Sequence, residues 1–261
     1  MFTKILGLNF PKKESLDTLY YTIGNVFSTL ITFITLPIIT RIISPEQLSI
    51  FNYTNTIKGF LLIITCLSLN SFLLRHYFKL KTESERKKLF GTVFYFLFLF
   101  STVLLLAELA VFPIIIDYFS IKVAFDPFFK IMLFNNYFEV AAIIPLVIYR
   151  VRKKPVAYLL LTLSKSILMI ALGLLFIIFF DKGIMGRYLG ILLPNIFFIF
   201  IYLIILRNKI SFGIDFAILK KGLKYSLPII PAAFAATAMS SVDKIMIERF
   251  LDIKYISIYS I

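Results

Sequence analysis

The chain has 261 residues, of which 60% are hydrophobic and 30 are phenylalanine, with a mean hydropathy of +0.92 and a formal net charge of +14. A soluble domain is only roughly 45–50% apolar, so this composition excludes one and indicates an integral membrane protein. The positive charge would raise nucleic acid as a partner in a soluble chain, but here the basic residues fall in short connections between apolar runs, which is a topology signal, and no nucleic-acid partner is expected.

From the amino terminus, residues 1–17 read as a cytoplasmic tail, with Phe2 to Leu8 as a short interfacial helix. Pro11 breaks the apolar patch and no small-residue cleavage pattern follows, so a removable signal peptide is not expected. A span needs about 20 apolar residues, and seven stretches qualify: Tyr20 to Thr40, Ser49 to Leu74, Leu89 to Ile116, Phe128 to Tyr149, Val156 to Phe180, Tyr188 to Leu206 and Leu223 to Phe250. An eighth opens near Ile256. Lipid cannot satisfy bare backbone amides, so runs of this length are helices. The single cysteine, Cys66, lies within an apolar run, so no disulfide can form inside the chain.

Lysine and arginine distribute unevenly over the connections. The tail and the second, fourth and sixth connections carry 17 of them, including the runs Arg86 to Lys88 and Arg152 to Lys154, whereas the first, third, fifth and seventh carry 6. The positive-inside rule then places the amino terminus in the cytoplasm. On this reading residues 18–206 form a six-helix lobe, 207–222 a basic cytoplasmic linker, and 223–261 the opening of a second lobe.

Ionisable groups inside hydrocarbon cost at least ~2.5–3.5 kcal/mol each at a helix centre, so each demands an explanation. With a rise of 1.5 Å per residue, Lys58 and Lys165 lie about 14 Å, and Glu139 about 16 Å, from an end of their spans, near the midplane. Polar neighbours recur at helical spacing: Thr54, Asn55 and Thr65 beside Lys58, Tyr158 and Thr162 beside Lys165, and Asn135 and Asn136 before Glu139. These faces are expected to line a hydrated cavity of cationic bias, suited to an anionic substrate; a Lys–Glu pair that only ties helices together, or lysines that snorkel to an interface, is the alternative. Glu108, Glu248 and Arg249 sit nearer the outer ends and read as interfacial, while Arg41, Asp243 and Lys244 are candidates for gating the cavity mouth. Prolines at 37, 113, 145, 194, 228 and 231 punctuate the helices; the last pair precedes AAFAATAMSS and makes the seventh helix kinked and small-faced.

No catalytic constellation is visible. His76 is the only histidine. There is no GxxxxGK phosphate loop, HExxH or GxSxG, and no connection is long enough for a soluble catalytic domain. The chain is therefore read as non-enzymatic and without a cofactor or metal, with any transport drawing on an ion or substrate gradient. A membrane-embedded glycosyltransferase would need paired carboxylates on a long loop.

One stretch recurs. PIITRIISPEQLSIFNY, from Pro37 to Tyr53, is echoed by RFLDIKYISIYS, from Arg249 to Ser260: at an offset of 208, Arg41 falls on Arg249, Ser49 on Ser257 and Ile50 on Ile258. Both copies follow a proline-containing apolar run and lie on the same side of the membrane, which makes a parallel repeat related by an axis along the membrane normal.

The proline-ending first helix, the Arg-x-x-Ser-Pro-Glu turn from Arg41 to Glu46, and the opening LKYSLPIIPAAFAATAMSSVDK with its Asp243-Lys244 pair resemble the lobe-opening segments of the polysaccharide flippases. These are relatives of the multidrug and toxin extrusion antiporters and of the lipid II flippase. The usual glycine after each turn is Ser49 and Ser257 here. The resemblance implies an all-α, polytopic helix bundle with one six-helix lobe of a two-lobed, MATE-like transporter and the start of a second. It also implies alternating access, with an isoprenoid-pyrophosphate-linked oligosaccharide as substrate in the bacterial inner membrane. Lys58, Lys165, Glu139, Asn55 and Asn135 are then the candidate substrate contacts, assigned from depth and charge. A chain of this length is expected not to transport alone, and its partners would be membrane lipids and the remaining lobe or a polysaccharide polymerase. A drug–cation antiporter and a non-transporting assembly subunit are the competing readings.

Overall fold

The computed structural model describes residues 35–260 together with Thr22, Val26, Leu30 and Phe33. The tail, the interfacial helix expected at Phe2 to Leu8 and most of the first span lie outside the described residues; of that span, residues 35–42 are helical. All regular structure described is helical.

The Ser-Pro-Glu turn is a helix start. Ser44 caps the amino terminus of α1 (Pro45–Cys66), its hydroxyl accepting from the Gln47 amide at 3.3 Å. Pro45 occupies the first turn, where its missing N–H costs nothing, and Glu46 faces the positive end of the helix dipole. The second copy uses the same logic: Asp252, 208 positions after Ser44, accepts from the Lys254 amide at 3.4 Å as α10 (Lys254–Ser260) begins. That hydrogen bond is the main reason the exposed Asp252 carboxyl is held below the usual carboxylate range.

The second expected span is broken. Leu67 and Ser68 both adopt left-handed backbone, with φ of 46° and 51°, and α1 bends by 47° relative to the helix beyond, α2 (Leu69–His76) and its 3₁₀ extension Tyr77–Lys79. Residues with a Cβ avoid that region by roughly 1–2 kcal/mol each, so the bend is held by its surroundings. Next comes α3 (Glu83–Phe119), opened by a reciprocal capping box between Thr82 and Glu85. At 37 residues it is about 55 Å long, well beyond a ~30 Å hydrocarbon core. The fourth span comprises the turn Phe125–Phe129, α4 (Lys130–Val140) and α5 (Ile143–Val151); α6 (Pro155–Ile178) and α7 (Ile184–Leu206) follow. The seventh begins earlier than hydropathy indicates: α8 (Phe216–Ser226) lies in the segment read as linker, and a 3₁₀ turn containing Pro228 joins it to α9 (Ile230–Phe250).

Five of these helices, or six with the bent pair counted as one, are long and apolar enough to cross a membrane. Their outward faces carry Phe98, Leu106, Ile114, Phe200 and Ile204, each more than half exposed, a surface that lipid covers and water would not tolerate. The connections segregate to two ends. Arg152 of the fourth pairs with Glu83 of the second at 2.8 Å, and the Ser211 amide of the sixth donates to the Lys87 carbonyl at 3.0 Å. At the opposite end the Lys122 amide of the third donates to Glu248 at 2.9 Å, and Arg249 donates to the Phe119 carbonyl at 2.8 Å.

Inside, one apolar cluster around Phe51, Tyr53, Phe129, Ile177 and Tyr188 fills the end with the odd connections. Another around Phe72, Leu73, Phe90, Ile148 and Leu206 fills the even end. The closest helix pair is α6 with α7, where a side chain on Gly190 would collide with the backbone of Gly173.

Candidate functional site

Between the two clusters the bundle is polar. Lys58 projects from the middle of α1 and donates to Glu139, near the end of α4, at 2.8 Å; the side chains are 17% and 35% exposed. They reach each other because α1 packs along α4. Lys165 of α6 lies 5.9 Å from the centre of the Tyr202 ring of α7 and within electrostatic reach of both Glu139 and Lys58. Lys58 is paired with the one carboxylate and Lys165 lies nearby, so the cluster is net cationic.

Glu139 borders a cavity of about 480 Å³ bounded by Gly59, Cys66 and Ser68 on α1 and its bend, by Leu146 on α5, and by Thr237 on α9. This void lies between the second, fourth and seventh spans, and runs from Gly59 and Glu139 to the bend at Ser68. Thr65 and Asn136, polar neighbours of the pair, hydrogen-bond each other across α1 and α4 at 2.9 Å. Thr54 bonds the Tyr188 hydroxyl instead. Asn55, one turn before Lys58, is half-buried. Asn135 is turned elsewhere: it is 2% exposed, its amide donates to the Tyr188 carbonyl of α7 at 3.5 Å, and it does not border the cavity.

The three gating candidates are not brought together as ion pairs among the described residues. Arg41 is exposed at the odd end. Asp243 accepts from the Lys244 amide at 2.8 Å. Of the groups read as interfacial, Glu248 is buried and accepts from Lys122, and Glu108 is 7% exposed with one carboxyl oxygen lacking a partner among the described residues.

Sequence reasoning missed the bend at Leu67 and Ser68, which borders the cavity and carries no glycine or proline to announce it. It also missed Tyr202, one of several aromatics on its span, and Thr237. The repeat is placed with most economy. Ser49 and Ser257, at the offset of 208, meet: the Ser257 amide donates to the Ser49 hydroxyl at 2.9 Å, and that hydroxyl donates to the Lys254 carbonyl at 3.2 Å. Both serines are fully buried where α1 and α10 cross, so the two positions related by the offset touch and only a small side chain fits there.

These features define a multi-pass membrane protein, an all-α helix bundle with a polar cluster of Lys58, Lys165 and Glu139 inside it. The chain belongs to the polysaccharide biosynthesis protein family, whose model matches residues 16–261. No curated protein sequence and no solved structure matches it.

Proposed function

We propose that the protein is a flippase that moves an isoprenoid-pyrophosphate-linked oligosaccharide from the cytoplasmic to the outer leaflet of a bacterial inner membrane, with its amino terminus in the cytoplasm. The observation that carries this reading is the pairing of Lys58 with Glu139 at 2.8 Å beside Lys165, at a cavity between packed membrane helices. A phosphate that enters the cavity competes with Glu139 for Lys58 and Lys165, because charge-assisted hydrogen bonds to phosphate match those to carboxylate. The lipid tail stays in the bilayer while the headgroup crosses through the polar interior. The net cationic cluster weighs against a cation antiporter, which needs carboxylates in excess.

The test is to place Lys58→Gln and Lys165→Gln at the chromosomal locus. Loss of surface polysaccharide with accumulation of its lipid-linked precursor, at unchanged protein level, is the expected result. Loss of the protein itself would assign these lysines to assembly, and normal polysaccharide would overturn the reading.

A further inference from the structure

A basic cavity lies at the even end, about seventeen residues beyond Lys58, a path of about 25 Å along α1 and α2. It has a volume of about 290 Å³ and is bounded by Phe72, Arg75, His76 and Lys79 from α2 and its extension, and by Lys221 and Tyr225 from α8. Phe72 is the floor. Its ring stacks on His76 at 4.9 Å and lies 6.2 Å from Tyr225. Gly222 allows α8 to sit this close, since a Cβ there would come within 3.1 Å of the Phe72 ring. That approach is what sets Lys221 opposite Lys79, and both lie near enough to act electrostatically on His76.

The cavity contains no carboxylate. Among the described residues Arg75, His76, Lys79 and Lys221 form no ion pair; Arg75 only donates to the Tyr225 hydroxyl at 3.5 Å and lies 5.4 Å from its ring centre. At the same end Glu83 pairs with both Arg152 and Arg86, whereas no carboxylate lines this cavity. Like charges drawn from two elements into one concavity repel unless an anion lies between them. A guanidinium with free N–H groups and two ammonium groups form a phosphate-recognition set. A space of this size holds about ten waters at ~30 Å³ each, enough for one or two phosphoryl groups.

We infer that this cavity is a phosphate-binding site at the even end of the bundle, separate from the midplane cluster. It takes a phosphoryl or diphosphate group, either free or on a lipid headgroup, between Arg75, Lys79 and Lys221. The inference rests on the cavity and does not require the transport reading.

His76 is the only histidine in the chain, so its imidazole resonances report on this cavity alone. The full chain, purified in a neutral detergent and labelled at histidine, is titrated with inorganic pyrophosphate at fixed pH and ionic strength. A parallel sample in nanodiscs compares phosphatidylglycerol with phosphatidylcholine. The expected result is a saturable His76 shift that weakens about tenfold or more in Lys79→Gln/Lys221→Gln, as loss of two charge-assisted contacts requires, and that is kept in Lys79→Arg/Lys221→Arg. A shift seen with pyrophosphate in detergent assigns a free diphosphate. A shift present in phosphatidylglycerol discs and absent in phosphatidylcholine discs, which pyrophosphate does not displace, assigns a lipid headgroup. No shift with either, or a shift unchanged in the Gln variant, overturns the inference. Because Lys58 and Lys165 are untouched, failure here leaves the midplane reading standing, and failure there leaves this one.

Discussion

Removing one partner of the Lys58–Glu139 pair probes whether the interior is dry or hydrated. At the 2.8 Å separation found, Coulomb's law gives a gross attraction of about 6 kcal/mol at an effective dielectric of ~20, and about 1.5 kcal/mol in water. Desolvation offsets much of this. Exposed pairs are worth roughly 0–1 kcal/mol net, whereas breaking a fully buried pair costs roughly 3–5 kcal/mol. With Lys58 17% and Glu139 35% exposed, and Glu139 bordering a cavity, the coupling falls between these limits, at about 2 kcal/mol. Lys58→Gln should lower the melting midpoint in detergent by about 4–8 °C. Glu139→Gln should cost more, because it leaves Lys58 and Lys165 facing each other with no carboxylate between them. The double variant should recover about 2 kcal/mol relative to the sum of the singles, beyond the ~0.3–0.5 kcal/mol scatter of independent sites. The assay is a double-mutant cycle on the purified chain, read by thermal or denaturant unfolding. Additive losses would mean that the pair carries no net interaction, and the competition between substrate phosphate and Glu139 would lose its physical basis.

Ser49→Leu should disrupt the crossing of α1 and α10, at about 1–3 kcal/mol for overpacking and about 1 kcal/mol for the lost bond to the Ser257 amide; the check is protection of α10 amides from hydrogen exchange, which should fall. Gly190→Val should force α6 and α7 apart, since a Cβ there already meets the Gly173 backbone, and lower the yield of folded protein in detergent. In a Cys66→Ser background, Lys122→Cys should react with an impermeant maleimide on intact cells, and Lys154→Cys only after permeabilisation; reversal would invert the proposed orientation. Thr82→Ala should cost about 1 kcal/mol through loss of the capping box, read as an earlier unfolding midpoint.

Much of the fold is legible in residue order because the bilayer imposes it. Length and apolarity identify the helices, and charge asymmetry predicts that the second, fourth and sixth connections share an end, as the contacts of Glu83 with Arg152 and of Lys87 with Ser211 bear out. The offset of 208 is readable, and its two serines, Ser49 and Ser257, are in contact. What hydropathy could not supply is rotation about each helix axis. Asn135 and Glu139 share a face by spacing, yet Asn135 turns to Tyr188 while Glu139 borders the cavity. Nor does hydropathy see α8, whose Lys220, Lys221 and Lys224 lower its mean below that of a span although its apolar side, with Leu219 and Gly222, is buried against α2. The bend after Cys66 escapes for a different reason: its left-handed pair is Leu-Ser, enforced by packing against local preference.

The run from Pro45 to Lys79 therefore carries more of the proposed mechanism than its place in the order would indicate. Its first turns hold Ser49 against Ser257, its middle carries Lys58 at the ion pair, its bend borders the cavity, and its far end supplies Arg75, His76 and Lys79 to the basic pocket. A continuous helix of this length would be a rod, and a displacement of α10 or α9 would tilt all four features together. The bend at Leu67 and Ser68 divides the run, so that α1 can follow the segments it crosses, α9 and α10, while α2 stays packed against α8 and the inner cluster. Two left-handed non-glycine residues are costly in isolation, but at this position they separate the part of the chain that holds the midplane charges from the part that holds the basic mouth. For the transport proposed above, that is where a joint is mechanically useful.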